Sequence, residues 1–174
     1  MKRNSFLTGF VLAVAGLLLV FPAYAQDDGP ESIPVSGTYN YTPNILSAVE
    51  VDGTMHFDVT AVAEYSGDFE GSEVANYRAV IEPTDAWDSG AIAEFEGTVL
   101  GEYEGTMVIW SVWKRQASTA HWYAEWWILS GTGDLANIYG RGFAWGPGFN
   151  PEDPEAKPHA YYSGNIFFAP PAGD

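Results

Sequence analysis

From about residue 36 onward, apolar, β-branched and aromatic residues recur in short runs separated by glycine-bearing junctions. No stretch combines a sustained 3.6-residue apolar period with helix caps. The pattern predicts a nearly all-β domain with strands at Ser36 to Tyr41, Met55 to Tyr65, Ser72 to Glu82, Ala91 to Val99, Glu102 to Arg115, Thr119 to Leu129, Leu135 to Trp145 and Ala160 to Phe168. Four junctions share an acidic residue, a glycine and a hydroxyl residue: Asp52-Gly53-Thr54, Glu70-Gly71-Ser72, Glu96-Gly97-Thr98 and Glu104-Gly105-Thr106. Glycine supplies positive φ or a bulge at such places, so these triplets are read as hairpin punctuation in a strongly curved sheet.

The central strands do not alternate cleanly. Met107, Ile109 and Trp113 share one face of their strand while Val108, Trp110 and Val112 share the other, and Trp122, Trp126 and Ile128 lie opposite Tyr123, Trp127 and Leu129. Two apolar faces imply that both are covered, or that an outer one marks oligomerisation or ligand contact. Antiparallel pairing of these strands would gather Trp110, Trp113, Trp122, Trp126 and Trp127 into an aromatic wall, the candidate surface for a planar or apolar ligand.

Ahead of this domain stand Lys2 and Arg3, an uncharged apolar stretch from Phe6 to Phe21, and Ala23-Tyr24-Ala25, the small-x-small pattern that signal peptidase reads. Residues 1–25 are therefore expected to be a cleaved signal peptide, giving a periplasmic or secreted protein with no membrane association after cleavage. Residues 26–35, with Asp27, Asp28, Glu31, Pro30 and Pro34, read as a flexible acidic leader to a domain at 36–170. The segment 146–159, with Pro147, Pro151, Pro154, Pro158 and three acids, reads as a long loop and candidate lid. The chain has no cysteine, so in an oxidising compartment the core must stabilise the fold without disulfides. The formal charge of −16 falls to −18 once Lys2 and Arg3 are removed. Such a field repels phosphate backbones and anionic lipid, so nucleic acid is not an expected partner.

The run Phe95-x-Gly97-Thr98-Val99-Leu100-Gly101, followed by Tyr103-x-Gly105-Thr106, Trp126, Gly131-Thr132-Gly133-Asp134-Leu135 and Gly140-x-Gly142, resembles an uncharacterised bacterial domain family with a barrel like that of allene oxide cyclase. The Gly-Thr-Gly segment before a strand ending in Gly-x-Gly is also similar to dirigent proteins, which share that barrel. The resemblance implies a single closed antiparallel eight-stranded β-barrel with a lumen, often in oligomers. It transfers no catalytic residue.

Local motifs do not select a reaction. There is no Gly-x-Ser-x-Gly elbow. His56, His121 and His159 lack partners at zinc-ligand spacing, and the oxygen-rich Asp85-x-x-Asp88 and Glu152-Asp153 do not follow the calcium-loop pattern, so neither a metal nor a cofactor is expected. Strand parity places His121, Tyr123 and Glu125 on one face, an imidazole and a carboxylate two pleats apart that could exchange protons if they faced a lumen. The expected function is binding of a small apolar or aromatic ligand in the lumen. The alternatives are a cyclase- or isomerase-type enzyme using that lumen, and a structural homo-oligomer with the lumen packed shut.

Overall fold

A computed structural model of the chain describes residues 30–115, 121–147 and 159–169. Eight strands run in order as β1 (Ile33–Val51), β2 (Thr54–Gly67), β3 (Phe69–Ile81), β4 (Trp87–Val99), β5 (Tyr103–Arg115), β6 (His121–Gly131), β7 (Ile138–Pro147) and β8 (His159–Phe168), with one 3-10 turn at Gly133–Leu135. Each strand pairs antiparallel with the next, and β8 pairs back onto β1, so the sheet closes into a ring with no free edge. The expected signal peptide, the first four residues of the leader and residues 148–158 of the Pro-rich loop lie outside the described residues.

All eight expected strands are present, but β1 is far longer than Ser36 to Tyr41. It begins within the supposed leader, at Ile33, and continues to Val51 in a hairpin with β2 that turns at Asp52-Gly53, where both residues have positive φ. Pro43 and Asn44 do not end the strand, because the partner strand β2 supplies pairing across both positions. A register shift between Ile45 and Ser47 absorbs one extra residue there.

Side chains alternate with period two around the ring. On β3, Phe69, Glu73, Ala75 and Ala79 are buried while Glu70, Val74, Asn76 and Arg78 are exposed. The inward rows fill one half of the lumen. Phe69, Phe95, Val99, Met107, Ile138 and Ile166 are almost fully buried at the end where β2 turns into β3 and β4 into β5, and Leu135 from the 3-10 turn plugs that end. Burying one such ring or branched side chain contributes about 1.5–3 kcal/mol, which is how the fold stands without disulfides.

Three of the four acidic-Gly-hydroxyl triplets are not turns. Gly71, Gly97 and Gly105 sit inside β3, β4 and β5, and only Asp52-Gly53-Thr54 forms a hairpin turn. Gly71 and Gly97 are direct cross-strand partners, and a Cβ on Gly71 would collide with the Glu96 carbonyl oxygen. The same arrangement recurs at Gly142 and Gly164, where a Cβ on Gly142 would collide with the Ser163 carbonyl oxygen and the Trp126 ring. Glycine here lets a ring lie flat on the backbone of a tightly coiled wall. The β1–β2 hairpin and the β3–β4 turn lie together at the end of the ring opposite Leu135.

Candidate functional site

The end near the β1–β2 hairpin and the β3–β4 turn holds an open chamber of about 550 Å³. Its wall is mostly apolar: Ile45 and Tyr41 from β1, Phe57 from β2, Tyr77 from β3, Trp87 from β4 and Trp113 from β5. At the rim the Arg115 guanidinium pairs with the Asp85 carboxylate, and its Nη2 also donates to the Asp85 backbone oxygen at 3.1 Å. Asp85 occupies the left-handed region, with φ of 66°, in the β3–β4 turn. A volume of this size exceeds the roughly 300 Å³ that a small-molecule site needs.

Trp113 lies at the inner end of this chamber and lines it. Its ring stacks on Tyr77 at 5.9 Å and on Trp122 at 4.7 Å, and its Nε1 donates to Ser111 Oγ at 2.5 Å. Trp122 is in turn fixed by Nε1, which donates to the Tyr41 hydroxyl at 3.0 Å and to the Pro147 carbonyl at 2.9 Å. A ring stacked on two neighbours with its N–H engaged has little rotamer freedom, so it presents a defined surface to the chamber.

Below Trp113 lies a second, much smaller chamber of about 30 Å³, large enough for one or two water-sized groups. Glu73 faces it, only 6% exposed. The Tyr65 hydroxyl donates to Glu73 Oε2 at 2.9 Å, and Tyr65 stacks on Tyr39 at 4.7 Å. Burial pushes the Glu73 carboxyl up from the ordinary 4.5 to about 7, against the smaller opposing effect of the Tyr65 hydrogen bond. Burial, reinforced by the nearby Glu73 charge, raises Tyr39 and Tyr65 well above the ordinary phenol value, so both remain neutral donors. No Lys, Arg or His lines this chamber among the described residues. A carboxylate accepts about four hydrogen bonds when ionised, and here one described donor reaches it.

The expected aromatic wall is divided between the two faces of the sheet. Trp113, Trp122 and Trp126 point into the lumen, whereas Trp110 and Trp127 stack on each other at 4.8 Å on the outside, with Trp110 40% exposed. His121, Tyr123 and Glu125 alternate with buried Trp122 and Ala124 and stand on the outer face of β6. The condition set for the expected proton-handling trio, that it face a lumen, is not met: parity puts it outside, since the apolar large–small row Trp122, Ala124, Trp126, Ile128 fills the interior. The residues that sequence reasoning passed over are Glu73 and the tyrosines around it. The signal was the Ser72 to Glu82 strand, where Glu73 shares a face with Ala75, Tyr77 and Ala79 while Asn76 and Arg78 occupy the other. Among the described residues no group of three or more His, Cys, Asp or Glu side chains is arranged to hold a metal ion. No helix among them is long and apolar enough to cross a membrane.

The sequence pattern of a family described as a protein of unknown function (DUF3224) matches residues 35–144. The chain belongs to the DUF3224 family. A crystal structure of a DUF3224-family protein of unknown function from Shewanella oneidensis MR-1 is similar to it over 80% of this chain and 100% of that one, with a TM-score of 0.64 at 16% identity. At that identity the likeness speaks for the fold alone. No curated protein matches the chain. Neither the family nor the Shewanella protein is described as an allene oxide cyclase or a dirigent protein. The family match ends inside β7, yet it spans both chambers' principal residues on β1 to β5, including Tyr41, Glu73, Tyr77 and Trp113.

Proposed function

We propose that this DUF3224 protein is an exported barrel that receives a small apolar or aromatic ligand in the mouth of its lumen. The observation that carries the reading is the chamber of about 550 Å³, walled by Tyr41, Phe57, Tyr77, Trp87 and Trp113, the last held by stacking on Tyr77 and Trp122. Apolar clefts of this size with a few fixed polar groups are where small molecules bind. The export half of the reading rests on Lys2, Arg3, the Phe6 to Phe21 stretch and Ala23-Tyr24-Ala25. The buried Glu73 favours a second reading, a cyclase- or isomerase-type enzyme, because a carboxyl poised near neutrality beside an apolar chamber is suited to proton transfer. The allene-oxide-cyclase-like kinship suggested by the glycine and aromatic motifs fits either reading.

The test is a titration of the full chain with planar apolar compounds, followed by tryptophan fluorescence. Saturable quenching is expected, abolished by Ala79→Phe, which fills the mouth, and retained in Trp127→Ala on the outer face. Quenching that survives Ala79→Phe but not Trp127→Ala would move the ligand to the outside of the ring and refute the proposal.

A further inference from the structure

Arg115 and Glu73 both point inward along the described strands, and they are treated differently. Arg115 at the rim has Asp85 as its counter-ion, whereas Glu73 at the base has, among the described residues, only the Tyr65 hydroxyl. The groups facing Glu73 are the phenols of Tyr39 on β1, Tyr65 on β2 and Tyr162 on β8. From β4 and β5 come Ala93, Ile109 and Ser111. None of these is a cation, and burial raises all three phenols so that they carry no charge near neutral pH. A carboxyl buried without a cation keeps its proton up to about neutral pH, and its ionised form is left for a cation that the residues lining the chamber do not supply.

Resting on the reading of the mouth as a ligand chamber, we infer that the ligand is a primary amine whose ammonium group enters the inner chamber and pairs with the Glu73 carboxylate while its apolar body fills the mouth. Size selects the head group. About 30 Å³ admits an ammonium, which is comparable with water, and has no room for a trimethylated nitrogen. The walls select its charge: the rings of Tyr39, Tyr65, Phe69, Trp113, Trp126 and Tyr162 surround the chamber, and aromatic faces attract cations most strongly where water is excluded. Trp113 lines both chambers, so a ligand reaching from one to the other passes beside its ring. Along β3 the inward positions Glu73 and Tyr77 are four residues apart, roughly 13 Å, which sets the length of a ligand reaching from the carboxylate to the mouth. The formal charge of −16 draws cations toward the molecule and opposes ligand anions.

The experiment compares phenylbutylamine, phenylbutanol, phenylbutyrate and the trimethylated amine on the full chain, by calorimetry and tryptophan fluorescence. Near pH 8 the amine should bind about tenfold or more tighter than the alcohol, the scale of a buried charge-assisted hydrogen bond, and the carboxylate probe should bind more weakly than either. Near pH 5.5, where the carboxyl holds its proton, the amine's advantage should shrink about tenfold or more. Glu73→Gln keeps the shape and the acceptor for Tyr65, so it should abolish the preference for amine over alcohol. The pH series on the unsubstituted chain tests the same point without any variant. Equal affinity for amine and alcohol, a preference that persists in Glu73→Gln, or a trimethylated amine as tight as the primary one would overturn the inference while leaving the mouth as a ligand chamber. Failure of every probe to bind would remove the chamber reading and this inference together.

Discussion

Glu73 makes stability depend on pH in a direction opposite to that of most carboxylates. Its folded-state value, about 7, lies above the ordinary 4.5, so the native state holds a proton that the unfolded chain has released. Its contribution is fully present below about pH 4.5, declines through the interval up to about pH 7, and stays lost above it. The difference between those two values corresponds to about 3 kcal/mol, since each tenfold change in proton affinity is worth about 1.4 kcal/mol. Replacing Glu73 by Gln keeps the volume, removes the titration and retains an acceptor for the Tyr65 hydroxyl. The two proteins should therefore diverge as pH rises, with the variant gaining up to about 3 kcal/mol relative to the parent between about pH 5 and pH 8. Urea denaturation followed by tryptophan fluorescence at several pH values gives the difference directly, and subtraction cancels the outer carboxylates common to both. A difference that does not change with pH would show that Glu73 ionises freely in the folded state and would refute its burial as an unpaired acid.

Further tests separate the inner and outer faces and the two kinds of glycine. Trp122→Ala, which removes a ring 1% exposed with its N–H engaged, should cost about 3–5 kcal/mol in unfolding free energy, while Trp127→Ala on the outer stack should cost no more than about 1.5 kcal/mol by the same denaturation assay. Gly142→Ala forces a Cβ against the Ser163 carbonyl and should lower the denaturation midpoint more than Gly101→Ala, which faces open space and carries only the left-handed backbone strain of about 1–2 kcal/mol. Intact-mass measurement on protein recovered outside the cytoplasm should give an N-terminus within about three residues of Gln26, and a product still carrying Phe6 to Phe21 would identify that stretch as an anchor.

The strands were legible because β-branched and aromatic runs between glycines leave no helical alternative, and all eight appear where expected. Their ends were less so. Nothing local says that Pro43 lies inside a strand, since the pairing that carries β1 across it comes from β2. The direction of each face was the harder matter: β5 and β6 carry large apolar residues on both sides, and only ring closure decides that Trp113 and Trp122 turn in while Trp110 and Trp127 turn out. His121 and Glu125 stand out in the sequence because imidazole and carboxylate together suggest chemistry. The more informative sign was a carboxylate on a face otherwise made of alanine and tyrosine, at Glu73.

The glycine-pinched, Leu135-plugged end gives the lumen the geometry of a flask rather than a pipe. Among the described residues the chamber of about 550 Å³ lies at the other end from Leu135, so an occupant of the inner chamber would come and go by that mouth. A ligand of the kind inferred above would enter head first and leave body first. In such a vessel the rings of Tyr77 and Trp113 at the neck would govern how long an occupant stays, and the acid at the base would govern which occupant is kept.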